Sequence, residues 1–253
     1  MSDDVQFKDQ VVWVTGAGSG IGRAVAERFL RAGARVALMA RRRDALEAAV
    51  RASGAPPERA AVEPLDVSER AAVDQASERL LKRWGRVDVL VNNAGTNVRD
   101  RALVKLSDAD WDRVIAVNLT GAYHLVRAVL PPMRAAGGGL IVNVASIAGK
   151  WVNAFSGAAY AASKHGMVGL SHTINEEEWR NNIRACAICP GEVATELLDK
   201  RKLRPPEADV ARMIQPEDLA ELVATVAALP ARATVTEMIV LPTYRRKMQP
   251  GEL

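Results

Sequence analysis

The chain is short of the residues that mark several large protein classes. Aromatics are only 4% of its 253 residues, and the formal net charge is a modest +4. With no long basic run and few stacking rings, a nucleic-acid surface is not expected. The short clusters Lys200-Arg201-Lys202 and Tyr244-Arg245-Arg246-Lys247 read as solvated surface. There are only two cysteines, Cys186 and Cys189. A zinc ribbon needs a second CxxC pair, and a redox CxxC belongs at a helix start, whereas this pair falls in a strand-like segment. Buried free thiols, no metal centre and a cytoplasmic setting are the expectation. No apolar run approaches the roughly 18 to 20 residues of a membrane span. Met1 to Gln10 has neither a basic nor an apolar leader region, so no secretory signal is read.

What the chain does have is a regular alternation of short apolar runs and amphipathic stretches, with 49% hydrophobic residues to fill a core. Val11 to Val14 has the unbroken apolar character of a strand buried on both faces. Thr15-Gly16-Ala17-Gly18-Ser19-Gly20-Ile21-Gly22 follows, and then Ala24, Ala26, Phe29 and Leu30 recur at helical spacing as far as Gly33. A strand, a glycine-rich turn and a helix start together make a phosphate site. Glycines let the backbone approach a pyrophosphate, and the helix N-terminus offers free N–H groups.

Arg35 to Ala40 is the second strand, with Arg41-Arg42-Arg43 directly after it. In a dinucleotide fold this strand end lies beside the adenosine ribose. An acidic residue there would bind a free 2′-hydroxyl, while arginine suits a 2′-phosphate, so NADP (as NADPH) is expected, chiefly through Arg41. Arg42 and Arg43 equally suit the exposed first turn of the next helix. Asp66, at the end of a third strand over 60–65, could accept from an adenine amine or cap the following helix. Further strands are expected at 87–91, 140–145, 183–188 and 235–241, and helices at 69–84, 108–133, 158–179 and 216–229. The 108–133 helix is expected to end at Pro131 and Pro132. The pattern is α/β, one doubly wound parallel sheet of about seven strands with helices on both faces, in a single domain spanning 1–253. Ligands in such sheets collect at the carboxyl ends of strands, where the glycine turn, Arg41, Asp66, Asn92, Ser146 and Pro190 all fall.

Tyr160 and Lys164, four apart, share one helix face. A phenol titrates near pH ~10 when free, and a nearby cation favours its phenolate and brings it into range for proton transfer. Ser146 could hydrogen-bond the same substrate oxygen.

These motifs resemble the short-chain dehydrogenase/reductase family, a Rossmann-fold family, over nearly the whole chain. The matching residues are TGAGSGIG at 15–22, LDV at 65–67, NNAG at 92–95, Asn118, Ser146, YAASK at 160–164 and PGEVAT at 190–195. The resemblance implies a catalytic set of Asn118, Ser146, Tyr160 and Lys164. Tyr160 would exchange a proton with the carbonyl or alcohol oxygen, Ser146 would polarise that oxygen, and Lys164 would bind the nicotinamide ribose and lower the tyrosine pKa. Asn118 would kink its helix and hold a water linking Lys164 to solvent. Cofactor contacts are expected from Gly16, Ser19, Gly20, Ile21, Gly22, Arg41, Arg42, Asp66, Val67, Asn92, Asn93, Ala94, Gly95, Tyr160, Lys164, Pro190, Gly191, Val193 and Thr195. The implied activity is hydride transfer between NADP(H) and a small carbonyl or secondary alcohol, in a homodimer or homotetramer. A cofactor-binding scaffold without turnover and an NAD-preferring dehydrogenase are the alternatives.

The chain departs from the family at three places. One extra residue lies between Ser146 and Tyr160, in the Lys150 to Gly157 loop. Glu192, facing substrate or solvent, stands where an apolar residue is usual, and the stretch 240–246 lacks a glycine-rich ending. The substrate pocket is expected from Thr96, Asn97, Val98, Ile147, Trp151, Phe155, Glu192 and a lid over 194–214 rich in charge.

Overall fold

The computed structural model describes residues 6–152 and 155–246. Its strands are β1 (Val11–Thr15), β2 (Arg35–Ala40), β3 (Ala60–Pro64), β4 (Val89–Asn92), β5 (Gly139–Val144), β6 (Ile183–Pro190) and β7 (Glu237–Val240). All pair in parallel in the order β3-β2-β1-β4-β5-β6-β7. The helices are α1 (Gly20–Arg31), α2 (Arg43–Ser53), α3 (Arg70–Trp84), α4 (Asp108–Ile115), α5 (Gly121–Ala135), α6 (Ala158–Glu178), α7 (Glu207–Val210) and α8 (Pro216–Ala228). The expected Rossmann architecture is the one found.

Alternation along each strand divides the core between the two faces of the sheet. Val12 and Val14 pack with Val36, Leu38, Val91 and Val142 under α1, α2 and α8. Val11 and Trp13 point the other way, to Met39, Leu90 and Ile141 and the apolar stripes of α3 and α5. Cys186 and Cys189 are free and buried, three apart on a strand and so in separate clusters. Burial pushes the Cys186 thiol up to about 12 and Cys189 up to about 11, which leaves both as unreactive thiols.

One element ends beyond the sequence expectation. The helix that was to stop at Pro131 and Pro132 carries both inside it and ends at Ala135. Each proline forgoes only its own N–H bond to the carbonyl four residues earlier, and the helix continues one turn past them. Met133 is fully buried and Gly138 N–H bonds its carbonyl at 3.0 Å, which holds the end in place. Helices α4 and α5 are joined by a π turn, Ala116–Thr120, into one continuous helix, Asp108–Ala135. By length and mean hydropathy (1.3) this helix could cross a membrane. Here its apolar side, including Leu125, Val126, Val129 and Met133, packs against the sheet and α3.

Candidate active site at the carboxyl edge of the sheet

The strand order reverses direction between β1 and β4, and a cleft of about 1260 Å³ opens there at the carboxyl ends of the strands. Its first wall is the turn from β1 to α1. Gly16 has φ +66°, and a Cβ on it would lie 2.8 Å from Asn93 Nδ2 and 3.0 Å from Ala94 Cα, so only glycine fits. Ser19, the N-cap of α1, makes no side-chain cap bond, and the first turn holds no acidic residue. That leaves N–H groups and a positive dipole end facing the cleft, as a pyrophosphate requires. Thr15 ties the opposite loop to this turn: its Oγ1 accepts from Asn93 N–H at 2.9 Å and Ala94 N–H at 3.0 Å.

At the end of β2, Arg41 and Arg42 line the cleft. Arg43 is engaged by Glu47 at 3.7 Å, whereas Arg41 and Arg42 have no carboxylate partner among the described residues. A charge left unpaired beside the adenosine end fits a 2′-phosphate. Asp66 serves its own loop first, since Oδ1 accepts from Ser68 N–H at 3.0 Å and Ser68 Oγ at 2.7 Å. The carboxylate still borders the cleft with Val67.

Tyr160, Ser146 and Lys164 meet on the floor of the cleft. Ser146 is delivered just past β5, where its Oγ accepts from Ala148 N–H at 3.1 Å. Lys164 is buried; Nζ donates to Val144 O at 2.8 Å, lies 3.4 Å from Met167 Sδ, and sits 5.6 Å from the centre of the Tyr160 ring. An ammonium has three donors, so a third remains for a ribose hydroxyl. Burial lowers the Lys164 pKa to about 8. Burial also raises the Tyr160 pKa, opposed by the Ser146 hydroxyl and by the charges of Arg201 and Arg101. The phenol ring is therefore enclosed by protein on most sides while its remaining surface opens to the cleft.

An uncompensated buried ammonium costs stability, and the sign follows from the proton balance. With the folded value at about 8 and the unfolded one at 10.5, the unfolded chain binds more protons between those pH values, so native stability rises across that window. Lys164→Met should therefore stabilise the ligand-free protein by about 1–3 kcal/mol at pH 7. The advantage should shrink as pH approaches 10. Thermal unfolding of both forms at the two pH values checks this; a lowered Tm at pH 7 would contradict it.

Asn118 is fully buried in the π turn. Its Oδ1 accepts from Thr96 N–H at 2.7 Å, and its Nδ2 donates to Thr96 O and to Ser163 Oγ, both at 3.0 Å. Ser163 Oγ in turn donates to Tyr160 O at 2.8 Å. Gly95 lies between Asn118 and Lys164: a Cβ there would be 3.5 Å from Asn118 Oδ1 and 3.6 Å from Lys164 Nζ. Asn118 thus braces the tyrosine's helix without a hydrogen bond to Lys164.

Most of the sequence-derived contacts border the cleft: Gly16, Ser19, Gly20, Ile21, Arg41, Arg42, Asp66, Val67, Asn93, Ala94, Gly95, Tyr160, Lys164, Pro190, Gly191, Val193 and Thr195. Two do not. Gly22 is a packing position, since a Cβ on it would lie 2.4 Å from both Gly16 O and Asn93 Nδ2. Asn92 is turned into the scaffold, its Nδ2 donating to Asn143 Oδ1 at 3.0 Å. Of the expected substrate wall, Thr96, Asn97, Ile147, Trp151, Phe155 and Glu192 border the cleft, while Val98 is buried in a small cluster beneath it.

Glu192 borders the cleft with its carboxylate already paired. Arg201 Nη1 bonds it at 2.6 Å, and Arg246 grips it through Nη2 at 2.9 Å and Nε at 3.1 Å. The expectation of solvated basic clusters holds for exposed Lys200, Lys202, Tyr244 and Arg245 and is corrected for Arg201 and Arg246, which turn in to the cleft. The Arg201 and Arg246 side chains are only 15% and 4% exposed. Burial beside a carboxylate, 9 and 54 residues away in sequence, is what draws them in. Lys247 lies outside the described residues. The segment over 194–214 is closed at its base by a parallel bridge between Val193 and Ile214. It contains a 3-10 turn, Glu196–Lys200, as well as α7.

Fold and cleft together define a nucleotide-dependent oxidoreductase class. A family model for short chain dehydrogenase matches residues 10–205. The chain is 34% identical over 224 residues to a 3-oxoacyl-[acyl-carrier-protein] reductase of Thermotoga maritima, 87% of this chain and 90% of that protein. It is 37% identical over 201 residues to levodione reductase of Leifsonia aquatica, covering 78% and 74%. A metagenomic short-chain oxidoreductase solved in complex with NADP superposes with a TM-score of 0.82 at 37% identity, covering 95% of this chain and all of that one. The chain belongs to the short-chain dehydrogenase/reductase family and is an oxidoreductase.

Proposed function

We propose that the protein is an NADP(H)-dependent reductase that interconverts a carbonyl and a secondary alcohol, with Tyr160 as the general acid and base. The observation that carries this is the placement of the Tyr160 phenol, open to the cleft, with the Lys164 ammonium 5.6 Å from its ring centre. Bound NADPH supplies the hydride that reaches the carbonyl carbon. Ser146 holds the carbonyl oxygen and Tyr160 Oη gives it a proton, so that a neutral alcohol forms and the phenolate is reprotonated from solvent. Lys164 spends its remaining donor on the ribose and stabilises the phenolate. Asn118 holds the helix of Tyr160 in register through Ser163.

Arg41 and Arg42, without carboxylate partners among the described residues, support NADP over NAD, and the NADP complex of the metagenomic relative agrees with that choice. Reduction is the favoured direction because cells usually keep NADP reduced. The 194–214 segment serves as the substrate lid, latched by Arg101 Nη2 to Lys200 O at 2.6 Å. Exposed Trp111 and Tyr123 on the 108–135 helix support self-association through that face, as a dimer or tetramer. Buried free thiols are in keeping with a cytoplasmic setting.

Oxidation of NADPH, followed at 340 nm against a panel of ketones and aldehydes, tests the reading. Turnover of at least one carbonyl is expected, with NADH a much poorer donor. NADPH binding without turnover of any member would favour a scaffold.

A further inference from the structure

The substrate end of the cleft carries more positive charge than its own acids neutralise. Glu192 is already held by two guanidiniums, those of Arg201 and Arg246. Arg101 is a third, half-buried and bordering the same cleft. Among the described residues its hydrogen bonds go to backbone carbonyls, Nη1 to Phe155 O at 3.1 Å and Nη2 to Lys200 O at 2.6 Å. No carboxylate pairs with it among the described residues. A guanidinium has five N–H donors, so these two bonds leave most of the fork unused.

The position of Arg101 is fixed by packing. Gly157, three residues before Tyr160, has φ +78°, and a Cβ on it would lie 2.6 Å from Arg101 Cβ. The charges of Arg101 and Arg201 both act on the Tyr160 phenol, and each guanidinium sits against Phe155, Arg201 at 5.3 Å from its ring centre. Arg201 has Glu192 as its counterion, whereas Arg101 beside it has none among the described residues, and an anionic ligand is what relieves that charge.

We infer that the substrate is an oxo acid or hydroxy acid, whose carboxylate pairs with Arg101 while its carbonyl or hydroxyl oxygen meets Tyr160. This rests on the reductase reading and narrows it to one chemical class. Arg201 is committed to Glu192 and adds field, while Arg101 makes the direct contact. Planar guanidinium and carboxylate match in a two-point contact that a neutral ester cannot accept.

The test compares matched probes, acetoacetate with methyl acetoacetate and levulinate with methyl levulinate, by NADPH oxidation. The wild type should prefer at least one acid over its ester by about tenfold or more in kcat/KM, the size of a charge-assisted bond. In Arg101→Gln that ratio should collapse toward one through a raised KM for the acid, and Arg101→Lys should recover part of it. An ester preferred or equal in the wild type, or a ratio unchanged by Arg101→Gln, would overturn the inference. Neutral ketones reduced while both acids are refused would overturn it too and leave the reductase reading intact. NADPH binding with no carbonyl turned over would remove both. NADPH affinity of each variant reports whether the fold survives; if Arg101→Gln does not fold, the wild-type ratio and Arg101→Lys decide.

Discussion

Tyr160→Phe is expected to lower kcat by about 10²–10⁴-fold, the usual worth of a positioned acid or base. NADPH affinity should stay unchanged. Only one oxygen is removed, and the ring's place beside Lys164 is kept by the backbone links from Ser163 and Asn118. The size of the effect follows from the environment. Burial alone holds the phenol proton too tightly for ready exchange, and the groups that work against burial are the Ser146 hydroxyl and the arginine charges. The Lys164 ammonium, 5.6 Å from the ring centre, adds to them when it is protonated. Since burial lowers that lysine to about 8, reduction should also weaken as pH rises past that value. Steady-state kinetics on the best substrate from the carbonyl panel, with cofactor binding by fluorescence, gives both readouts. A variant with near-full turnover would remove Tyr160 from the proton path.

The second large effect is expected at Arg41. Arg41→Asp should weaken NADPH binding by about 10²–10³-fold, since a guanidinium–phosphate bond is lost and a repulsive carboxylate is gained at roughly 1.4 kcal/mol per tenfold. NADH should lose far less, because an acidic side chain at this strand end can accept from the free 2′-hydroxyl. Among the described residues Arg41 has no carboxylate partner to lose, so its removal should leave the scaffold in place. Parallel titrations with the two cofactors make the comparison. Equal losses for both would refute the NADP assignment.

The sheet was legible in the sequence because parallel strands buried on both faces appear as short unbroken apolar runs, and glycines punctuate them. β2 falls on the expected residues, Arg35–Ala40, and α3 ends at Gly85 in a left-handed C-cap, as a glycine there implies. The glycine-turn and Tyr160–Lys164 ends of the cleft are legible too, since each is a motif of residues close together in sequence. What the sequence did not reveal depends on partners far apart along the chain. In sequence Glu192 suits substrate or solvent equally; in the fold Arg246, 54 residues later, holds it. Arg101 carries no motif at all; Gly157, the Phe155 carbonyl and the Lys200 carbonyl meet it at the cleft. Asn92 shows the converse. It belongs to a motif beside the cleft, yet strand alternation turns its side chain inward to Asn143. The prolines of α5 misled because a breaker near a helix end is tolerated when a buried Met133 anchors the turn beyond it.

The proton chemistry of Tyr160 can be read directly. The chain has three tyrosines, so ¹³C labelling at Cζ gives three resonances, and Tyr160→Phe assigns the one that matters. Titrated without ligand, Tyr160 should ionise above the ordinary phenol value, as its burial dictates. Titrated with saturating NADP⁺, it should ionise well below its ligand-free value, because a cationic ring then lies beside the phenolate. An ionisation that does not move on NADP⁺ binding would contradict the account.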